Sequence, residues 1–248
     1  MRSDALARSR KRRNGYELLC EAIFRPLAHP LVLGLARLRL PPPAVVVAAG
    51  AAGIAAAVEI GRGSLIVAAL LIQVKTLLDN ADGQLARLTG RTSAFGRYLD
   101  SELDLVVNAA LSAAVDWRYG QPLLAGAGFM ALTSVLSLNF NAARLSSGVT
   151  SPADEDSGVA TALLRRAYDA VYAPQDRLAE WLVTRRPSLV SPTTVTVLAN
   201  LGMSTQLALF GLFLALGHPF GFAWLAVGEL AVITLALLPQ RTPVEEIA

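Results

Sequence analysis

Between residues 43 and 60 the chain is an almost unbroken run of Ala, Val, Ile and Gly, and further apolar stretches of comparable length lie at 64–88, 94–117, 122–145, 193–216 and 220–238. A bilayer core about 30 Å thick is crossed by roughly 20 residues of α-helix, so these runs predict an all-α integral membrane protein with six transmembrane helices. Hydrophobic residues make up 54% of the 248, more than one soluble domain of this size would bury. Gly61-Arg62-Gly63, Arg118-Tyr119-Gly120 and Gly217-His218-Pro219 separate neighbouring runs so tightly that they read as hairpin turns between antiparallel spans.

The basic residues then orient the bundle. Of the 22 Lys and Arg, 19 fall on the side shared by the two termini, only Arg62 and Arg118 fall opposite, and Lys75 lies inside a span. This bias predicts a multi-pass protein of the cell membrane with both termini cytoplasmic. Arg8, Arg10, Lys11, Arg12 and Arg13 precede no compact apolar run with a cleavage site, so they read as a retained cytoplasmic tail drawn to anionic headgroups. A nucleic-acid partner is not expected, because the net charge is only +3 and the basic run stands beside membrane spans.

Residues 1–40 are therefore read as this tail followed by an amphipathic interfacial helix, and residues 41–248 as the six-helix membrane domain. Within the latter, 146–191 is a cytoplasmic loop. It opens with Ser, Gly, Pro and Asp154-Glu155-Asp156, then spaces Leu163, Leu164, Tyr168, Val171, Tyr172, Leu178, Trp181 and Leu182 for a helix lying on the membrane surface. No catalytic part is expected of that loop.

Chemistry concentrates between the second and third runs, in Asp79-Asn-Ala-Asp82-Gly83-Gln-Leu-Ala86-Arg87, eight residues, and Gly96-Arg-Tyr-Leu-Asp100-Ser-Glu-Leu-Asp104. On a helix, positions 79, 82 and 86 fall within an arc of about 60°, and 96, 100 and 104 repeat at four-residue spacing, so each half presents one face. A turn at 89–93 would let the faces meet. Four carboxylates beside a membrane repel one another and each costs several kcal/mol, as an order of magnitude, to desolvate; a divalent cation compensates both. The single cysteine, Cys20, and the widely separated His29 and His218 offer no zinc site, so the metal is oxygen-bound, Mg²⁺ or Mn²⁺, and the substrate carries phosphate. Gly83 and Gly96 permit close approach of such a substrate, and Arg87 supplies a planar cationic fork.

The 26 residues from Asp79 to Asp104 resemble, without a mismatch, the signature DxxDGxxAR, eight residues, GxxxDxxxD of the CDP-alcohol phosphotransferases. The six-span reading is similar to that family's architecture. The resemblance implies metal ligands at Asp79, Asp82, Asp100 and Asp104, with Asp104 also the general base. It implies a CDP pocket formed by Asp79, Asp82, Gly83, Ala86, Arg87 and Gly96. It further implies release of CMP from a CDP-alcohol donor, CDP-diacylglycerol above all, as a small polar alcohol acceptor is phosphatidylated in phospholipid biosynthesis, and it implies a homodimer.

Lys75, one turn before Asp79, either touches a substrate phosphate or pairs with that carboxylate. Arg144 is either a ligand for the phosphate of an inositol phosphate or glycerol phosphate acceptor, or an ordinary flanking cation. Asn108 follows Asp104 by one turn and is placed to orient it; Glu229, deep in the last run, has no evident partner. Two other readings remain: the same chemistry with a free alcohol acceptor or a polar CDP-alcohol donor, and a divalent-cation transporter or binding protein, since intramembrane carboxylates mark ion paths.

Overall fold

The computed structural model describes residues 15–147 and 158–237, with side chains to 234. The basic run Arg8–Arg13, Asp154-Glu155-Asp156 and Arg241 lie outside them. Every regular element among the described residues is helical. A π-helical turn, Cys20–Phe24, leads into α1 (Arg25–Arg37); α2 (Pro42–Arg62), α3 (Leu65–Thr89), α4 (Ala94–Tyr119) and α5 (Pro122–Ser147) follow. Then come α6 (Val159–Arg185), a short 3₁₀ turn (Pro187–Val190), α7 (Pro192–Ala199), α8 (Met203–Ala215) and α9 (Gly221–Leu237).

Local chemistry sets the boundaries. Extended Pro41 precedes α2, and Pro42 and Pro43 occupy its first turn, where a missing N–H costs nothing. The helix closes on Gly63 at φ +86°, with the Ser64 N–H returning to the Glu59 carbonyl at 2.9 Å. α3 ends the same way on Gly90, φ +66°, with the Arg91 N–H bonded to the Ala86 carbonyl at 2.9 Å. Ser93 then caps α4 by accepting from the Gly96 N–H at 3.0 Å. The turn expected at 89–93 is thus present.

α2 packs against both α3 and α4, α3 against α8, and α5 against α9. Ile60, Ile72, Val107, Leu111, Leu132, Leu207 and Leu214 form the shared apolar core. The contact of α2 with α4 depends on Gly53: a Cβ there would lie 2.4 Å from Val107 Cγ1. Small residues at such crossings let backbones approach and gain dispersion energy where lipid offers no hydrophobic driving force.

Three elements, 42–62, 122–147 and the 192–215 unit, combine spanning length with high apolarity, and 221–234 is a shorter apolar helix. α3 and α4 are long enough to span, but their charged residues set them apart from the purely apolar helices. The run at 193–216 is not one continuous helix. It breaks at Asn200-Leu201-Gly202, where the Asn200 side chain takes the Leu18 N–H at 2.9 Å and donates to the Tyr16 carbonyl at 2.7 Å and the Thr196 carbonyl at 2.8 Å. An amide side chain that competes for backbone partners, followed by glycine, ends a helix even within an apolar run.

Two further elements differ from their sequence reading. α1 is not only a surface helix: Ala28 and Val32 are buried against Ala81 and Leu85 of α3. The second half of the 146–191 loop is the 27-residue helix α6, docked on α4 and α5. On its outer side Leu163, Leu178 and Trp181 are exposed, and the Arg185 guanidinium lies 4.4 Å from the Trp181 ring centroid.

Gly53→Val is expected to destabilise the bundle by about 1–3 kcal/mol through overpacking against Val107. Gly126→Ala, where a Cβ meets nothing within 4 Å, should not. Thermal unfolding in detergent compares the two.

Candidate metal and phosphate site

Asn80 fixes the rotation of α3. Its carbonyl accepts from Cys20 Sγ at 3.0 Å, and its amide donates to Ser204 Oγ at 3.2 Å and to the Thr76 carbonyl at 2.8 Å. With Asn80 held by the π-helical turn and by α8, the neighbouring positions 75, 79 and 82 turn towards α4. Burial of a fully bonded amide specifies one orientation in a way that apolar contacts alone do not.

On that face, one carboxylate oxygen each from Asp79, Asp82 and Asp100 lie within 4.8 Å of one another. Asp82 Oδ2 is buried without a hydrogen-bond partner. The fourth aspartate is held differently. Lys75, only 1% exposed, hydrogen-bonds Asp104 Oδ1 across the helix pair and lies 3.1 Å from Asp79 Oδ1 along its own helix. Of the two readings of Lys75, pairing with carboxylate is the one the structure displays.

Four carboxylates gather around one ammonium in a site largely withdrawn from water. Burial without compensation would cost several kcal/mol per charge. An orphaned carboxylate oxygen beside two convergent ones is a set of hard donors, and it fits a divalent cation of the Mg²⁺ or Mn²⁺ class. Asp79, Asp82 and Asp100 are the residues that could hold it.

The other expected residues surround this centre. A Cβ on Gly83 would meet Arg87 Nη1 at 3.2 Å, so glycine leaves room for the guanidinium to lie along the helix. Ala86 adds little bulk one turn on. Gly96 has a local duty as well, since a Cβ there would lie 3.2 Å from the capping Ser93 Oγ. Arg144 Nη2 is 3.1 Å from Asn141 Oδ1 and 3.7 Å from Glu180 Oε1, which ties it to the α5–α6 seam. Asn108 donates to Met203 Sδ at 3.8 Å rather than orienting Asp104. Glu229 acquires a partner in Gln206, whose amide donates to it between α8 and α9.

Sequence reasoning missed the inner face of α6. Asp176 accepts from Ser137 Oγ at 3.0 Å, Asn141 Nδ2 at 2.8 Å and Tyr168 Oη at 3.1 Å, while Tyr172 Oη donates to the Ser101 carbonyl at 3.4 Å. Tyr98, Tyr168 and Tyr172 pack in series, with centroids 5.5 and 4.8 Å apart. Burial first, and then the charges of Asp104, Glu102, Asp176 and Asp100, push the Tyr172 phenol well above its usual range. The signal was the four-residue spacing of Tyr168, Tyr172 and Asp176, a polar stripe opposite an apolar one.

The CDP-alcohol phosphatidyltransferase profile matches residues 27–234. The chain belongs to the CDP-alcohol phosphatidyltransferase family. Among curated relatives, a phosphatidylinositol phosphate synthase from Mycobacterium marinum is 32% identical over 100 residues, 40% of this chain and 43% of that protein. An archaetidylinositol phosphate synthase from Aeropyrum pernix is 42% identical over 55 residues, 22% of this chain and 28% of that protein. The chain therefore aligns with less than half the length of either curated relative.

Lys75→Met would leave Asp104 and Asp79 without their buried counter-charge. The expected loss is about 3–5 kcal/mol of stability, as for other broken buried pairs. Mn²⁺ should raise the melting temperature of this variant more than that of the wild type; thermal unfolding with and without the ion measures both effects.

Proposed function

We propose that this family member is an enzyme of phospholipid biosynthesis that transfers a phosphatidyl group from a CDP-alcohol, CDP-diacylglycerol, to an alcohol phosphate such as inositol phosphate, with release of CMP. The observation that carries the proposal is the division of the four aspartates: oxygens of Asp79, Asp82 and Asp100 lie within 4.8 Å of one another, while Asp104, which shares Lys75 with Asp79, is outside that group. A charged donor and a separate proton acceptor need such a division. The two curated relatives, named as a phosphatidylinositol phosphate synthase and an archaetidylinositol phosphate synthase, support the choice of acceptor.

Asp79, Asp82 and Asp100 would hold Mg²⁺ or Mn²⁺, which supplies positive charge to a diphosphate as its bridging bond breaks. Gly83 and Ala86 keep the α3 face shallow for the cytidine diphosphate, Arg87 offers its fork to phosphate oxygens, and Gly96 keeps the opposing α4 face low. Asp104 takes the proton from the acceptor hydroxyl; that oxygen bonds to the β-phosphorus as the bond to the bridging oxygen breaks and CMP leaves. Lys75 acts as a positioning residue, fixing the Asp104 carboxylate through their hydrogen bond. Arg144, half-exposed on the α5–α6 seam, would take the acceptor's phosphate.

The same proposal includes six spans, with the amphipathic helix preceding them, and both termini and the site on the cytoplasmic side of the cell membrane. The distribution of Lys and Arg supports that orientation. The homodimer implied by the resemblance belongs to the proposal as well.

In proteoliposomes with CDP-diacylglycerol, CMP should appear only with both an acceptor and Mg²⁺ or Mn²⁺, and should cease on chelation. Asp104→Asn should reduce turnover by about 10²–10⁴-fold, the usual worth of a general base, and retain donor binding. Absence of CMP with every acceptor, or full turnover by the Asn variant, would overturn the respective assignment.

A further inference from the structure

α6 is held to the bundle unevenly. In its C-terminal half Ala179 and Val183 are buried in one cluster with Leu138 and Ala142 of α5, and just before them Asp176 accepts from Ser137 and Asn141. From 159 to 173 only Thr161 is buried, and this half reaches α4 through the Tyr168 ring against Tyr98 and the Tyr172 hydrogen bond to the Ser101 carbonyl. Pro174 stands between the halves, and its missing N–H removes one helical bond there. A helical segment with so few buried contacts has low local stability, and it gains from any partner that covers its other side.

That other side has a definite chemistry. At 3.6 residues per turn Val159, Leu163, Leu178 and Trp181 fall within an arc of about 100°, with Arg166, Arg177 and Arg185 inside it or within about 20° of its edge. All seven are exposed. Asp169 and Glu180 stand about 60–80° outside the arc, and Glu180 is turned to Arg144 of α5, 3.7 Å away. The Arg185 guanidinium, 4.4 Å from the Trp181 ring centroid, sits at the level of the apolar side chains. Apolar groups interleaved with arginine, with the acids turned aside, complement a surface that is apolar beneath and negative above. A phospholipid leaflet with anionic headgroups is layered in that way.

We propose that the outer face of α6 docks on anionic phospholipid headgroups, and that this contact steadies the 159–173 half against α4 and raises turnover. The effect on turnover rests on the phosphatidyl-transfer reading above. Its route is short: Ser101, which receives Tyr172, follows Asp100 of the aspartate group.

The test places the full chain in vesicles of phosphatidylcholine alone or of phosphatidylcholine with phosphatidylglycerol, at one low fraction of CDP-diacylglycerol. Amide hydrogen exchange along α6 is read together with CMP release. With phosphatidylglycerol, exchange over 159–173 should slow several-fold and kcat should rise several-fold, and both effects should fade as salt is added. Arg166→Gln, Arg177→Gln and Arg185→Gln together should abolish both responses while melting temperature and turnover in phosphatidylcholine hold. Arg166→Lys, Arg177→Lys and Arg185→Lys together should preserve the responses; if the neutral triple variant melts lower, this second variant and the salt dependence of the wild type decide. Equal exchange in the two vesicle types, or protection that survives in a stably folded neutral variant, would overturn docking on anionic lipid and leave the face to a protein partner. Slowed exchange with unchanged kcat would overturn the link to turnover. CMP absent with every acceptor, while exchange still follows phosphatidylglycerol, would overturn the transfer reading and leave the docking in place.

Discussion

Lys75 is the residue on which the arrangement of α3 and α4 depends. Bringing four aspartates onto facing helices inside an apolar bundle is unfavourable unless something positive is built in, and the only ammonium among the described residues is this one, held between Asp79 on its own helix and Asp104 on the next. A lysine at that depth is tolerated because two carboxylates receive it. The pairing joins the helix pair at mid-length, while the Gly90 turn and the Ser93 cap join it at the end. Two constraints at different heights fix both the spacing and the rotation of the pair.

Apolar packing supplies the rest of the frame but not its specificity. Gly53 brings α4 close to α2, and Ile72, Val107 and Leu207 fill the space behind the site. Rotational setting comes from buried polar groups: Asn80 bonded to Cys20 and Ser204, Gln206 to Glu229, and Asn200 to the backbone on either side of residue 17. In a low-dielectric interior each such group must find its partner, so each penalises sliding or turning of a helix. The N-terminal segment is drawn into the bundle by this need. It enters the break after α7, where the Asn200 side chain accepts from the Leu18 N–H and donates to the Tyr16 carbonyl.

How far the sequence discloses this depends on the range of the interaction concerned. The aspartate constellation was legible because its logic is local: carboxylates at helical spacing on two runs, a glycine turn between them, and no sulfur or imidazole to suggest another metal. The partner of Lys75 was ambiguous, since one helical face serves ion pairing and phosphate binding equally well until the second helix is placed. The break at Asn200 was hidden in an apolar run whose mean character says helix, and only a partner nearly two hundred residues away makes the interruption favourable. The same is true of Glu229, which had no reading until α8 lay against α9.

α6 shows why a helix with two distinct faces is easily half read. Its exposed Leu163, Leu178 and Trp181, flanked by arginines, describe a helix at a membrane surface, and that face alone suggested a role in placement. The stripe of Tyr168, Tyr172 and Asp176 lies on the other side and carries hydroxyl and carboxylate groups that a lipid-facing surface would not favour. Such groups are stable only against polar partners, and those partners sit on α4 and α5 beside the aspartates. Two faces with opposite solvent preferences fix which side of α6 meets the bundle. α6 thus joins α4 and α5 through its polar stripe while its apolar residues stay exposed on the other side.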